Sequence, residues 1–289
     1  MKPFPIPVRM TGPGSQPDDG DELQYLAMPR EMNTFRMPLV PERAEPSALE
    51  ASRDALAAFV RQLGRWDPER EANGPSLDLS GLAAEVLTIT NQMLGEGEVA
   101  IRITAPRTVR IQESVFTGLW RVCEFDADGR LAADRLEAGG IPQVAVACAH
   151  DAAGAGLAAV DVPSGAMNSP ALMHEIGAQM TEWRRGARAH VINLTLFPMT
   201  PDDHRVLEQA LPVGPVAIMA RGFGNCRITS TGARNVWRVQ YFNSMDTLIL
   251  NTIEVVEVPE VALAAPEDLV DSRVRLAELV DWMSESCTA

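Results

Sequence analysis

Two stretches of the chain, GEVAIRITAPRTVRIQESVFTGLWRVCEF (residues 97–125) and GPVAIMARGFGNCRITSTGARNVWRVQYF (residues 214–242), align without a gap at an offset of 117 residues. Over residues 97–151 the offset gives 17 identities in 55 positions, which is too many for chance at one offset. Four of the five tryptophans also form pairs, Trp66 with Trp183 and Trp120 with Trp237. An internal repeat of this length predicts one supersecondary unit that is built twice.

Each predicted unit begins with an amphipathic helix, because apolar side chains recur at helical spacing. These are Leu56, Phe59, Leu63 and Trp66 in the first unit, and Met173, Ile176, Met180 and Trp183 in the second. Ser47 with Glu50 predicts a capping box, while Ser169 before Pro170 and Thr200 before Pro201 predict two further N-caps. A short strand follows at 77–79 or 191–196, and then a second helix at 81–94 or 201–211.

Short strands complete each unit, and the spacing of the turns predicts hairpins. The clearest hairpins run from 119–125 into 130–137 and from 236–242 into 247–255, and a last strand is expected at 144–147 and at 261–264. Successive hairpins predict an α+β fold with a mainly antiparallel sheet. The expected organisation is an extended arm (1–46), a first repeat (47–151), a linker (152–168) and a second repeat with a C-terminal helix (169–289).

The composition excludes several classes of protein. A net charge of −14 would repel a phosphate backbone, so nucleic acid is not an expected partner. There is no apolar run of the roughly 18–20 residues that a membrane span needs, and the start of the chain lacks the apolar core of a secretory signal. The cysteines are few and scattered, as is typical of a cytoplasmic protein with reduced thiols. The cysteines and histidines have no metal-binding spacing, so neither a metal nor a cofactor is predicted.

The most distinctive local string is RGFGNCR, residues 221–227. A glycine-rich loop that binds phosphate needs a helix after it, whereas a strand is predicted here, so a tight hairpin loop is the favoured interpretation. A partner-binding loop and a thiol at Cys226 activated by Arg227 are the two alternatives. The corresponding residues of the first unit, 104–109, contain no glycine, so a function of this loop would not be shared by the two units.

Several strings resemble the HupH/HyaF/HoxQ family of hydrogenase expression/formation proteins. They are FPIPV (4–8), GPGSQ (12–16), INLTLFPMTPDD (192–203), GPVAI (214–218), RGFGNCRI (221–228) and the long segment 235–269. The similarity covers nearly the whole chain and is strongest over residues 190–269. It implies an accessory protein for maturation of an uptake NiFe hydrogenase, and it carries over no catalytic residue.

The resemblance implies a non-enzymatic chaperone that binds the Fe–S small subunit, or its precursor, before export through the twin-arginine route. Other hydrogenase accessory proteins are further expected partners. The predicted contact residues are Gly222, Phe223, Gly224, Asn225, Cys226 and Arg227. Two alternatives stay open: a redox or Fe–S handling protein that uses Cys226, and a homo-oligomeric scaffold whose apolar arm mediates self-association.

Overall fold

The computed structural model describes residues 45–71, 73–222 and 224–286. The first half folds in the order α1 (Pro46–Leu63), β1 (Asn73–Asp78), α2 (Ala84–Leu94), β2 (Val99–Ile103), β3 (Thr108–Glu113), β4 (Leu119–Phe125), β5 (Leu131–Gly139) and α3 (Gln143–Asp151). The second half folds in the order α4 (Ser169–Glu182), β6 (His190–Asn193), a 3₁₀-helix (Leu194–Leu196), α5 (Pro201–Ala210), β7 (Val213–Ala220), β8 (Asn225–Thr231), β9 (Val236–Phe242), β10 (Leu248–Val255) and a 3₁₀-helix (Glu260–Ala262). A final helix, α6 (Pro266–Ser286), follows the second half.

The strands of both halves form one ten-stranded sheet in the order β1-β5-β4-β3-β2-β7-β8-β9-β10-β6, and every neighbouring pair is antiparallel. The predicted α+β class is therefore confirmed. The order of the strands is symmetrical about the β2–β7 pair, which joins the two halves. At the centre of that pair Ile101 lies opposite Ile218, its own counterpart at the 117-residue offset. The halves are thus arranged about a local two-fold axis.

Two of the predicted strands are wrong. Residues 144–147 lie in α3, and residues 261–264 begin in the 3₁₀-helix Glu260–Ala262. In both places a proline in extended conformation stands immediately before the helix, as Pro142 and Pro259. The alanine-rich sequence after Pro142 favours a helix, and it buries Ala145 and Ala149 four residues apart on one face. The strand predicted at 191–196 is only partly correct, because it ends at Asn193 in a 3₁₀-turn.

The predicted helix starts differ in their outcome. The N-cap predicted at Thr200 is confirmed, and the structure adds a capping box, since the Thr200 hydroxyl accepts from the backbone N–H of Asp203 and the Asp203 carboxylate accepts from that of Thr200. The box of Ser47 with Glu50 is wrong, because Pro46 already begins α1 and Glu45 precedes it without a side-chain cap. Ser169 is the first residue of α4 and not its N-cap. The predicted arm, 1–46, lies outside the described residues except for its last two.

Among the described residues three apolar clusters hold the helices on the sheet, and a fourth, smaller one joins α1 to α2. The central cluster packs Trp120 and Trp237 with Ile101 and Ile218 beneath α3 and the second 3₁₀-helix. The indoles of Trp120 and Trp237, which correspond at the 117-residue offset, are held in place by hydrogen bonds. Nε1 of Trp120 donates to the carbonyl oxygen of Gly139, and Nε1 of Trp237 donates to that of Glu257. The two outer clusters lie under α1 in the first half and under α4 in the second.

The outer clusters are closed by different segments. In the first half α6 crosses over and packs on α1, where Leu276, Val280 and Met283 are buried. In the second half residues 152–168, the predicted linker, contain no helix or strand. They are attached to that half by backbone hydrogen bonds, such as those of Gly154 with Gly232 and Arg234. The C-terminal helix therefore completes the half that precedes it by more than a hundred residues.

Candidate functional site

The predicted site begins at the loop between β7 and β8. The two strands pair antiparallel, so the described part of this loop is a hairpin connection as expected; Phe223 lies outside the described residues. Gly222 leaves room for the carboxylate of Glu98, which a Cβ at this position would strike. Gly224 has φ of 102°, a conformation that glycine adopts readily. Gly224 is therefore the glycine that the backbone of the loop requires, whereas a Cβ at Gly222 would displace only the flexible end of the Glu98 side chain.

Cys226 and Arg227 follow the loop as consecutive residues of β8, so their side chains point to opposite faces of the sheet. Cys226 is 3% exposed. Burial raises the pKa of its thiol to about 12, although a hydrogen bond with Tyr241 partly opposes this effect. The geometry contradicts the hypothesis that Arg227 activates the thiol. A thiol that stays protonated at neutral pH is a poor nucleophile.

Arg227 has partners in the packing of the second half. Its guanidinium lies 4.2 Å from the centroid of the Phe242 ring, and a nitrogen lies 3.5 Å from Oδ1 of Asp246. The corresponding arginine of the first half, Arg110, lies 5.0 Å from the ring of Phe125. A contact that both halves share serves the fold, so Arg227 contributes more to the structure of β8 than to a site found on one half alone.

A cleft of about 490 Å³, the acidic cleft, lies against the hairpin loop. Gly222 and Gly224 form part of its wall, and Glu98, Glu113 and Asp268 line it together with Glu96. No lysine, arginine or histidine is among the described residues of the lining. The cleft brings together three parts of the sequence: the loops that flank β2 and β3, the 221–224 loop and the first turn of α6. All the charged side chains in the described lining of the acidic cleft are therefore carboxylates.

Glu113 is the most deeply placed carboxylate of the acidic cleft, with 4% of the residue exposed. Burial raises the pKa of Glu113, hydrogen bonds from backbone groups such as the Gly118 N–H oppose this, and the charge of Glu98 adds to it. The Gly118 N–H lies 3.0 Å from Oε1. A cation in the cleft would therefore stabilise the ionised form of Glu113 and relieve the repulsion between the two carboxylates.

A second cleft of about 590 Å³, the tryptophan cleft, lies between α3 and the turn that joins β8 to β9. Trp183, Trp237 and Arg234 line it, together with His150 and Asp151 from α3. The two clefts occupy corresponding places, because Ser114, Thr117 and Asp268 of the acidic cleft match Thr231, Arg234 and Asp151 of the tryptophan cleft at the 117-residue offset. Each cleft is formed by a turn of one half and by the segment that ends the other.

The described residues contain no group of three or more histidine, cysteine, aspartate or glutamate side chains placed to hold a metal ion. Among the helices of the same residues, none is long and apolar enough to cross a membrane.

The carboxylates of the acidic cleft were not predicted from the sequence. A signal for them exists in the alignment of the two halves, where Glu98 faces Pro215 and Glu113 faces Ser230. The same alignment sets Arg234 of the tryptophan cleft against Thr117. In each of these pairs one half has a charged residue where the other half has an uncharged one. Such pairs mark positions where the two halves differ in chemistry.

Comparison with known proteins matches residues 50–161 and, separately, residues 166–283 to the HupH hydrogenase expression protein, C-terminal conserved region. The chain is 43% identical over 286 residues to the hydrogenase expression/formation protein HoxQ of Cupriavidus necator, covering 98% of this chain and 99% of that protein. It is 40% identical to HupH of Rhodobacter capsulatus, with 96% and 98% covered. It is 34% identical to the hydrogenase-1 operon protein HyaF of Escherichia coli, with 96% of each covered.

These matches first define a class, the proteins of hydrogenase expression and formation, and they confirm the resemblance drawn from the sequence strings. The chain belongs to the HupH hydrogenase expression protein family. The two separate matches to one conserved region fall on the two halves of the fold.

Proposed function

We propose that this chain is a non-catalytic accessory protein that binds the Fe–S small subunit of an uptake NiFe hydrogenase, or its precursor, in the cytoplasm before export. The names of its relatives support the role in hydrogenase expression and formation. The buried Cys226 with its raised pKa favours a binding role over a redox role. Other hydrogenase accessory proteins are further proposed partners, which would act on the same client.

The observation that carries the proposal is the position of the 221–224 loop at the acidic cleft. Glycines of that loop stand in the same lining as Glu98, Glu113 and Asp268. A precursor exported through the twin-arginine route carries a pair of arginines in its signal. Arginine forms bidentate, charge-assisted hydrogen bonds with carboxylates, so the signal segment has the chemistry that this cleft accepts.

The exposure of the carboxylates sets the expected strength of binding. Glu98 and Asp268 are exposed, whereas Glu113 is buried. Exposed ion pairs are weak and are screened by salt, so they would speed the encounter and align the client more than they would hold it. A reversible complex of this kind suits a protein that shields an immature subunit and releases it on assembly.

The proposal is tested with the purified full-length chain and the small-subunit precursor in two forms, with and without the signal segment. We expect retention of the signal-bearing precursor on the immobilised chain, and weaker retention of the form without the signal. A mature large subunit serves as the negative control. The proposal fails if neither form of the small subunit is retained at low or at physiological salt.

A further inference from the structure

The tryptophan cleft contains an indole N–H group that lacks an acceptor. Nε1 of Trp183 is buried and has no hydrogen-bond partner within the described part of the chain. The corresponding indole of the first half, Trp66, donates to the carbonyl oxygen of Glu71 at 2.9 Å. Trp237, the other tryptophan of the cleft, also has its acceptor. A buried N–H without a partner is rare in folded proteins and indicates a place for an acceptor from outside.

Arg234 provides a second buried donor of the tryptophan cleft that lacks an acceptor. Nε of Arg234 is buried without a hydrogen-bond partner, and its guanidinium forms no ion pair among the described residues. Among the other groups of the lining, Arg185 lies 3.5 Å from Glu257, and Nδ1 of His150 lies 3.2 Å from Oδ1 of Asp151. Arg234 is therefore the arginine of this lining that has no carboxylate partner among the described residues.

Both donors are held by the backbone around them. The backbone N–H of Arg234 donates to the carbonyl oxygen of Gly154 at 2.9 Å, and its neighbour Ala233 forms a β-bridge with Gly154. Trp183 directly follows α4, and its backbone N–H donates to the carbonyl oxygen of Gln179. The backbone that carries both donors is therefore already ordered, so binding of an acceptor would cost side-chain entropy but little backbone entropy.

We propose that the tryptophan cleft binds a carboxylate of a polypeptide, with Arg234 and Trp183 as the donors. A carboxylate only accepts hydrogen bonds, and its planar shape matches the guanidinium fork. Asp151 and Glu257 in the lining disfavour a more highly charged group such as a phosphate. The indoles of Trp183 and Trp237 with Val146 and Val236 provide apolar walls for the residues beside the carboxylate. This inference concerns a site apart from the acidic cleft and does not depend on the proposed function.

The carboxylate can come from an acidic side chain or from a C-terminus, and three peptides separate these sources. They are acetyl-Ala-Leu-Ala-Leu with a free carboxylate, the same peptide as its amide, and acetyl-Ala-Leu-Glu-Leu-amide. Each is titrated into the full-length, ¹⁵N-labelled chain while the indole N–H resonances are recorded. The Trp183 resonance is identified by its absence in Trp183→Phe, which keeps an aromatic ring but has no indole N–H.

We expect the Trp183 indole proton to shift downfield with one or both of the acidic peptides and to stay in place with the neutral amide. Arg234→Gln should weaken the binding of the acidic peptide at least tenfold, whereas Arg188→Gln, which removes an exposed arginine outside the lining, should leave it unchanged. Equal binding of the amide to the wild-type chain would overturn the proposal, and this outcome requires no variant to fold. Tighter binding of inorganic phosphate than of either acidic peptide would overturn it as well.

Discussion

The two clefts lie at corresponding places of two halves whose strands follow the same order, yet their charged side chains differ. The acidic cleft has Glu98 and Glu113 where the second half has proline and serine, and the tryptophan cleft has Arg234 where the first half has threonine. The strands and the core tryptophans match between the halves, and the differences are concentrated in the turns beside them. One scaffold thus presents two surfaces, one suited to cations and one to carboxylates.

The halves differ in a second respect, the segment that closes each outer cluster. The first half is closed by α6, a helix of 21 residues with a buried apolar face. The second is closed by residues without helix or strand, and the carboxylate of Asp203 holds their end in place. Its Oδ1 accepts the N–H groups of Met167, Asn168 and Ser169. We therefore expect apolar burial to stabilise the first closure and polar contacts to stabilise the second.

Shortening a buried side chain of α6 tests this difference and has the largest expected effect. Leu276 is fully buried against α1, so Leu276→Ala should lower the free energy of unfolding by about 2–5 kcal/mol. Leu157 is only half-buried in the segment that closes the second half, so Leu157→Ala should cost about 1 kcal/mol. Denaturant unfolding of both variants measures the contrast. Equal losses would show that the two closures have the same physical basis.

Asp203 tests the polar closure of the second half. Asp203→Asn replaces one of the two acceptor oxygens of a fully buried carboxylate by an NH₂ group, which cannot accept the bonds that this oxygen receives, so we expect a loss of roughly 2–3 kcal/mol in the free energy of unfolding. Asp202→Asn is the matched control, since it removes only a partly exposed ion pair with Arg205 and should cost under about 1 kcal/mol. Similar effects of the two variants would contradict the role given to Asp203.

The contribution of Asp203 to the free energy of unfolding should depend on pH. Burial acts to raise the pKa of Asp203, but hydrogen bonds from Ser169 and Thr200 hold it well below its ordinary value of 3.8. Stability from this carboxylate is fully present above that ordinary value and is lost as the pH falls through the folded-state pKa. The difference in unfolding free energy between wild type and Asp203→Asn should therefore be smaller at about pH 3 than at about pH 6. A difference that stays constant would argue against an ionised Asp203.

The charge of the acidic cleft is tested by a double variant, Glu98→Gln with Asp268→Asn. We expect an approximately tenfold weaker affinity for the signal-bearing precursor, or about 1.4 kcal/mol, together with a weaker dependence on salt. Glu85→Gln with Glu267→Gln removes the same net charge from exposed positions outside the cleft, so it should leave the affinity unchanged. Isothermal titration of both variants decides whether the effect belongs to the cleft or to net charge.

Cys226 gives the smallest expected effect. Cys226→Ser keeps a side chain that can bond to Tyr241, so hydrogenase activity in cells that carry this variant should equal that of the wild type. Alkylation of Cys226 at neutral pH should be slow in the folded chain and fast in denaturant, because burial raises the thiol pKa to about 12. Loss of hydrogenase activity with normal folding would restore the redox hypothesis.

The hairpins and amphipathic helices could be predicted because their signals are local. Turns such as Asp126–Gly129 and caps such as Thr200 act within a few residues, and both are present as expected. The short runs at 144–147 and 261–264 misled the prediction because four apolar residues fit a strand and a buried helix equally well. Here the alanines of α3 and the prolines before each run decide for helix.

The clefts could not be predicted in the same way, since each combines segments that lie more than a hundred residues apart. Glu113 and Asp268 meet in one lining only because β2 pairs with β7 and α6 returns to the first half. The loop at 221–224 was found because its glycines stand out in the sequence. The contacts of Cys226 and Arg227 depend on which face of β8 each side chain takes, and that follows from the register of the sheet.

The most direct test of the binding role places a photo-crosslinking amino acid on the chain in cells that accumulate the small-subunit precursor. Leu263 is 41% exposed and lines the acidic cleft, while Leu131, which is 50% exposed, lies in neither lining and serves as the control. If the acidic cleft receives the client, benzoylphenylalanine at 263 will capture the precursor and the same group at 131 will not. Capture from 131 alone, or from neither position, would contradict the account.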